Sequence, residues 1–226
     1  MLFTLFRKNI YFFLPFLLWI IVGGVMLATY SQRELFLDIN GEHSQWGDVI
    51  VTGLTYLGDG IMFGIVLFLM LVTQRFRLFF IGLAVLLLVT IIVQVAKHYF
   101  NAPRPISYFG DETATLVHTV KWVTVHSTCS FPSGHSAAAF GMFSFLAVIS
   151  RNKKLGLLFI GMALSAAYSR IYLAQHFFAD VYVGSIVGTL STIVVYGFFK
   201  FRDTTSSPEA CAEALLQGNS NANASA

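Results

Sequence analysis

Apolar residues gather along this chain in long unbroken runs separated by short polar stretches, a pattern of membrane crossings and not of soluble amphipathic helices. The first run covers residues 10–29 and is preceded by Arg7 and Lys8. A secretory signal shows the same charge order, but its apolar core spans only about 7–15 residues. The exit Ala28-Thr29-Tyr30 is also no small-x-small cleavage site, so the run reads as a retained span. The second run, 61–74, is short for a crossing, which predicts a helix beginning near Leu57 with Asp59 at the interface. Runs at 78–96, 136–150, 155–168 and 181–199 complete six predicted spans. Residues 49–57 are too few to cross and lie among Gly47, Gly53 and Gly58, so an interfacial helix is expected there, with Trp46 and Tyr56 at headgroup level. The reading is an all-α polytopic membrane protein of six transmembrane helices plus short interfacial helices, with no internal repeat. Its membrane domain covers 1–203, and 204–226, rich in Ser, Ala and Asn, reads as a disordered tail with room for a short helix from Ser207.

Composition agrees. Of 226 residues, 56% are hydrophobic and 11% charged, with 23 Phe and a mean hydropathy of +0.72. Soluble domains carry about 25% charged residues, so this chain has too little polar surface to cover a globule in water. Disorder, a disulfide scaffold and a nucleic-acid-binding domain are disfavoured on the same figures. Cys129 and Cys211 match no metal-ligand spacing.

Net charge says little as a total, but its distribution sets an orientation. Arg7, Lys8, Arg75, Arg77, Arg151, Lys153, Lys154, Lys200 and Arg202 fall on one side of the predicted spans. Glu34, Asp38, Glu42, Asp48, Asp59, Asp111, Glu112 and Asp180 fall on the other. The bias of Lys and Arg toward cytoplasmic loops then puts both termini inside and all six histidines outside. It also separates the two cysteines, so they cannot pair within one chain.

Against this background a few ionisable residues stand out. Lys97 closes the third span, His135 opens the fourth, Arg170 ends the fifth, and His176 and Asp180 open the sixth. Ionisable groups at membrane depth are costly, and these converge on one interface from four helices. Lys97 or Arg170 alone would suit an anchor snorkelling to water, but His and Asp are poor anchors. Within Phe131-Pro132-Ser133-Gly134-His135-Ser136, Ser133 is placed to cap the fourth helix. That would leave the N–H groups of Gly134, His135 and Ser136 as an anion cradle at the positive end of the helix dipole, although an ordinary cap reads the same way. Lys97 offers a point charge. Arg104, stiffened by Pro103 and Pro105, and Arg170 offer planar forks suited to phosphate oxygens. His176 and Asp180 are four apart and share a helix face, so Asp180 can accept the Nδ1 proton and leave Nε2 as base or nucleophile. The pair supplies only two ligands, short of the three or four a metal needs, and the surrounding cations disfavour a dication. Cys129, six residues before His135, lacks the arginine a cysteine-phosphatase loop requires at that second position. His43, His98, His118 and His126 have no evident partner and read as structural.

Together the motifs Lys97-x6-Arg104-Pro105, Pro132-Ser133-Gly134-His135 and Ser169-Arg170-x5-His176-x3-Asp180 resemble those of the type 2 phosphatidic acid phosphatase superfamily, relatives of the vanadium haloperoxidases. The resemblance covers about residues 97–180. It implies that Lys97, Arg104, Ser133, Gly134 and Arg170 hold phosphoryl oxygens. His176, oriented by Asp180, would attack phosphorus, and His135 would protonate the leaving oxygen and then activate water. Bottom-up chemistry agrees, since phosphoryl transfer is mostly positioning and charge stabilisation. The expected protein is a bacterial inner-membrane phosphatase with no cofactor or metal, its site facing outward. The expected partners are the bilayer and a lipid phosphate or diphosphate, with no nucleic acid and no obligate protein. Undecaprenyl diphosphate, phosphatidylglycerophosphate or phosphatidate, and lipid A are the candidate substrates. The segment 98–131, with Phe100, Tyr108, Phe109, Trp122 and Phe131, reads as a headgroup lid or as an interfacial aromatic belt. A phosphotransferase would use the same residues. An anionic-lipid transporter would leave the His176–Asp180 pair unexplained and would place its binding groups nearer the midplane. An inactive family member would lack a catalytic residue, and none is missing.

Overall fold

A computed structural model describes residues 2–205, whose regular secondary structure is all helix, with no strand among the described residues. In chain order the helices are α1 (Leu2–Lys8), α2 (Ile10–Thr29), α3 (Gln32–Gly41), α4 (Gln45–Thr55), α5 (Gly60–Val72) and α6 (Phe76–Phe100). After them come α7 (Pro105–Phe109), α8 (Thr113–Leu116), α9 (Gly134–Ile149), α10 (Leu155–Tyr172) and α11 (Phe178–Thr205), with 3₁₀ turns at Tyr56–Gly58 and Gly110–Glu112. Four helices, α2, α6, α10 and α11, are long and apolar enough to cross a membrane, and the bent pair α4–α5 would make a fifth. Beyond Thr205 the predicted tail, its short helix and Cys211 lie outside the described residues.

The helix α9 is apolar but only 16 residues long, and it sits at the centre of the bundle with most of its side chains buried. Its largest contact is with α11, followed by α10. Small residues bring α9 and α11 to backbone distance. A Cβ on Gly188 would stand 2.2 Å from the Ala137 carbonyl oxygen, and one on Gly184 would stand 2.6 Å from that of Ser133. Thr192 donates to the Gly141 carbonyl across the same seam at 2.9 Å. Such small-residue seams drive helix association in a bilayer, where burial gains little over contact with lipid tails.

The polar ends are tied by side chains. At one end Lys153 donates to Asn9 Oδ1 at 2.8 Å and to the Val148 carbonyl at 2.8 Å, so one ammonium joins the start of α2 to the end of α9. At the other end α3, α4 and the 101–133 segment cover the bundle. Ser31 and Glu34 form a capping box that starts α3.

Three expectations are corrected here. The helix predicted to begin near Leu57 begins at Gly60, because Asp59 is extended (φ −72°, ψ 142°) and its carboxylate caps Ile61 N–H. Residues 56–58 belong instead to a 3₁₀ turn that ends α4, and the two helices meet at a bend of 53°. His118 is partnered: its Nε2 lies 2.8 Å from Asp48 Oδ1, and its ring stacks on His43 at 3.9 Å. Phe109 does not face headgroups. It is buried against Phe36, with the Arg33 guanidinium 5.0 Å over its ring.

Candidate active site

The start of α9 is built as its sequence implies. Ser133, extended (φ −68°, ψ 114°) and fully buried, accepts from Ser136 N–H at 3.3 Å and from Ser136 Oγ at 3.0 Å. Because Ser136 N–H is taken by the cap, the expected three-donor cradle narrows to Gly134 and His135. Ser133 N–H donates in turn to the Asp180 carbonyl at 3.0 Å, which fixes the start of α9 against the start of α11.

The histidine–aspartate pair is placed by the way α10 ends. Gln175 N–H returns to the Arg170 carbonyl and Ala174 N–H to that of Ile171, the two bonds of a Schellman motif. Ala174 occupies the left-handed position (φ 54°) usually given to glycine, a local strain of about 1–2 kcal/mol. This turn folds the chain back so that His176 N–H also reaches the Arg170 carbonyl, at 3.1 Å. His176 and Asp180 are both buried, with Nδ1 and Oδ2 3.4 Å apart. Burial lowers the His176 pKa and the Asp180 carboxylate opposes that shift only in part, so the imidazole is held neutral.

The cations arrive from three elements. Arg104 is buried and anchored three times, Nε to the Thr128 carbonyl at 2.9 Å and Nη1 to Gln175 Oε1 at 2.9 Å and to the Gln175 carbonyl at 3.2 Å. Its guanidinium stays charged throughout the working range. Arg170, in the last turn of α10, gives Nη1 to Thr55 Oγ1 at 2.6 Å, but its buried Nε has no partner among the described residues. An unpaired buried donor on a charged group is costly, about 1–3 kcal/mol or more, and a ligand oxygen would relieve it. Lys97, half-buried at the end of α6, lies within electrostatic reach of Arg104, Arg170 and Asp180. His135 lies within reach of Arg170, Asp59, Lys97 and Arg104.

All eight predicted site residues, Lys97, Arg104, Ser133, Gly134, His135, Arg170, His176 and Asp180, therefore converge at one end of the bundle. A groove lined by Gly58, Gly60, Val89, Val93, Gly134 and His135 opens from this cluster between α5, α6 and α9. Among the described residues no three His, Cys, Asp or Glu side chains are grouped to hold a metal ion. Sequence reasoning missed three supports: Thr55 on Arg170, Gln175 on Arg104, and Ser130, whose Oγ donates to Asp180 Oδ2 at 2.5 Å. A glutamine beside His176 in an otherwise apolar turn was a signal for the second. Nothing local marks Thr55, 115 residues from its partner.

The chain is similar to several known proteins. The chain is 29% identical over 166 residues, 68% of this chain and 75% of the relative, to the phosphatidylglycerophosphatase B of Bacillus subtilis (strain 168). It is 32% identical over 123 residues to the undecaprenyl-diphosphatase BcrC of the same organism, spanning 54% of this chain and about half (53%) of that relative. It is 27% identical over 167 residues to the lipid A 4'-phosphatase of Bacteroides thetaiotaomicron, 70% of this chain and 72% of the relative. The crystal structure of Aquifex aeolicus LpxE superposes with a TM-score of 0.65 at 27% identity, covering 76% of this chain and 98% of that one. That of a transmembrane PAP2-type phosphatidylglycerolphosphate phosphatase from Bacillus subtilis gives 0.57 at 26%, covering 89% and 98%. With a family model described as the PAP2 superfamily matching residues 77–203, more than half its length, the chain belongs to the PAP2 superfamily.

Proposed function

We propose that this protein is an outward-facing, six-span membrane phosphatase that hydrolyses the terminal phosphate of a lipid phosphate or diphosphate through a phosphohistidine. The observation that carries the reading is the buried His176–Asp180 pair set against the capped start of α9, with Arg104, Arg170 and Lys97 around it. The four long helices and the bent α4–α5 pair account for up to five crossings, and the shorter apolar α9 would be the sixth. In the first step the neutral His176 Nε2 attacks phosphorus while the bond to the lipid oxygen breaks, and His135 supplies that oxygen with a proton. In the second step His135 takes a proton from water, the water oxygen bonds to phosphorus, and the P–N bond breaks to release phosphate and free His176. Gly134 and His135 N–H, the unpaired Nε of Arg170, Lys97 and the remaining face of Arg104 stabilise the equatorial oxygens. With three cationic side chains in this role, no metal ion is needed.

The candidate substrates are phosphatidylglycerophosphate, undecaprenyl diphosphate and lipid A, the lipids in the relatives' names, together with phosphatidate, the simplest lipid of the same phosphomonoester chemistry. The groove reaching His135 between α5, α6 and α9 supports a tailed substrate. The test is phosphate release from a panel of these lipids by purified protein in detergent containing EDTA. Release is expected from at least one, and it should fall by at least about 10³-fold in His176→Ala, whose nucleophile is gone. Full inhibition by EDTA, or near-normal turnover by His176→Ala, would overturn the proposal.

A further inference from the structure

Asp180 Oδ2 is more heavily used than an orienting carboxylate for one histidine requires. It accepts Phe177 N–H at 2.9 Å, Ser130 Oγ–H at 2.5 Å, and lies 3.4 Å from His176 Nδ1. Ser130 Oγ is itself 3.4 Å from the same Nδ1, so serine and aspartate stand equally far from that nitrogen. The serine proton is committed to the carboxylate. Its oxygen therefore turns lone pairs, not a hydrogen, toward the imidazole.

Deepening the phosphatase reading on which it rests, we infer that Ser130 is a positioning residue: its hydroxyl and Asp180 form a two-point acceptor that holds the proton on His176 Nδ1 and aims Nε2 at phosphorus. Two acceptors and no donor around Nδ1 make the Nδ1–H tautomer the one that fits, because a bare Nδ1 would face two oxygens without a hydrogen between them. The aspartate alone, at 3.4 Å and shared with Phe177 N–H and Ser130, makes only a long bond to the ring. Ser130 is fully buried, so water does not take its place. Its backbone also links the site's halves. Ser130 N–H donates to the Ala102 carbonyl at 2.9 Å, three residues from Ser133 and two from Arg104, whose own N–H bonds Ser127 O at 2.9 Å. The serine that holds the nucleophile is thereby tied to the strap that carries Arg104.

The test reads the tautomer directly. Histidine-selective ¹⁵N labelling of the full chain in detergent, with the His176 signals assigned by their loss in His176→Ala, reports which ring nitrogen carries the proton. The wild type is expected to show protonated Nδ1 and bare Nε2. Ser130→Ala and the near-isosteric Ser130→Cys should both shift toward a tautomer mixture, since neither retains the hydroxyl pair of contacts. On an active lipid phosphate both variants should lose between about 10- and 100-fold in kcat, with KM and inhibition by inorganic phosphate within about twofold of wild type. The loss should be equal with p-nitrophenyl phosphate, because aim of the nucleophile matters whatever the leaving group. Unchanged His176 shifts in Ser130→Ala, a wild-type Ser130→Cys, or a loss matched by weaker phosphate inhibition would overturn the inference. Wild-type protein with the expected tautomer that releases no phosphate from any lipid would instead overturn the phosphatase reading alone.

Discussion

His135 and Thr55 show how single side chains here divide between chemistry and support. If His135 protonates the leaving oxygen, its loss matters only where that oxygen is a poor leaving group. His135→Ala should therefore cost at least about 100-fold on an alkyl phosphate and much less on p-nitrophenyl phosphate, as compared by initial rates on the two substrates. Equal losses would move His135 out of that role. The Thr55 hydroxyl accepts a hydrogen bond from Arg170, whose Nε is unpaired among the described residues. Thr55→Val keeps the shape and removes the acceptor, so it should destabilise the free protein by about 1–3 kcal/mol. Thermal unfolding should show part of that loss recovered when inorganic phosphate is added, because a bound anion would satisfy the guanidinium. Lys97, Arg104, His135, Arg170, His176 and Asp180 were legible because each carries a charge or a ring nitrogen that the surrounding apolar sequence does not explain, and Ser133 and Gly134 because they stand at the start of an apolar helix. Thr55 and Ser130 were not, since a hydroxyl is unremarkable until its partner is known, and their partners lie 115 and 50 residues away.

At the scale of elements, caps and breaks decide where helices stop. Ser133 was readable as the cap of α9 because capping is a contact between neighbours in the chain. The end of α5 is another local device: Arg75 N–H returns to the Met70 carbonyl and Gln74 N–H to that of Leu71, with exposed Gln74 in the left-handed conformation (φ 56°). Glycine fits this position without steric cost. Gln74→Gly is expected to stabilise the protein by about 0.5–1 kcal/mol, read as a rise in the midpoint of thermal or denaturant unfolding, with activity unchanged. The start of α5 escaped sequence reading for a related reason. Leu57 is itself apolar, and it is the extended backbone of Asp59, between Gly58 and Gly60, that separates the 3₁₀ turn from the helix.

For the whole molecule, the seam between α9 and α11 is the structural condition of the site, because Ser133 and Asp180 lie at its end. A methyl group on Gly188 would overlap the Ala137 carbonyl at 2.2 Å, and backbone atoms cannot turn aside as a flexible side chain can. Gly188→Ala should force the helices apart, costing about 1–3 kcal/mol or more of stability. It should also lower phosphatase activity, although Gly188 lies more than two helical turns from Asp180. The same variant should show weaker inhibition by inorganic phosphate, since the start of α9 would move relative to His176. A normal unfolding midpoint and normal phosphate inhibition would show that the seam does not set the cradle.

Sequence by itself did not determine the short helices α1, α3, α7 and α8, but it did determine the membrane character, the long apolar helices, the cap of α9 and the residues that form the polar cluster. These follow from hydrophobic runs, capping residues and charges placed where a bilayer penalises them, all of which are properties of short stretches of chain. Only tertiary structure decided that Ser136 N–H is spent on the cap, that Gln175 and Thr55 hold the two arginines, and that Ser130 shares Asp180 with His176. It also decided that His118 pairs with Asp48 and that Phe109 turns inward. The physical reason is common to all of them. A hydrogen bond between distant residues depends on helix crossings set by small-residue packing, and that packing is a sum over the whole bundle that no local pattern records.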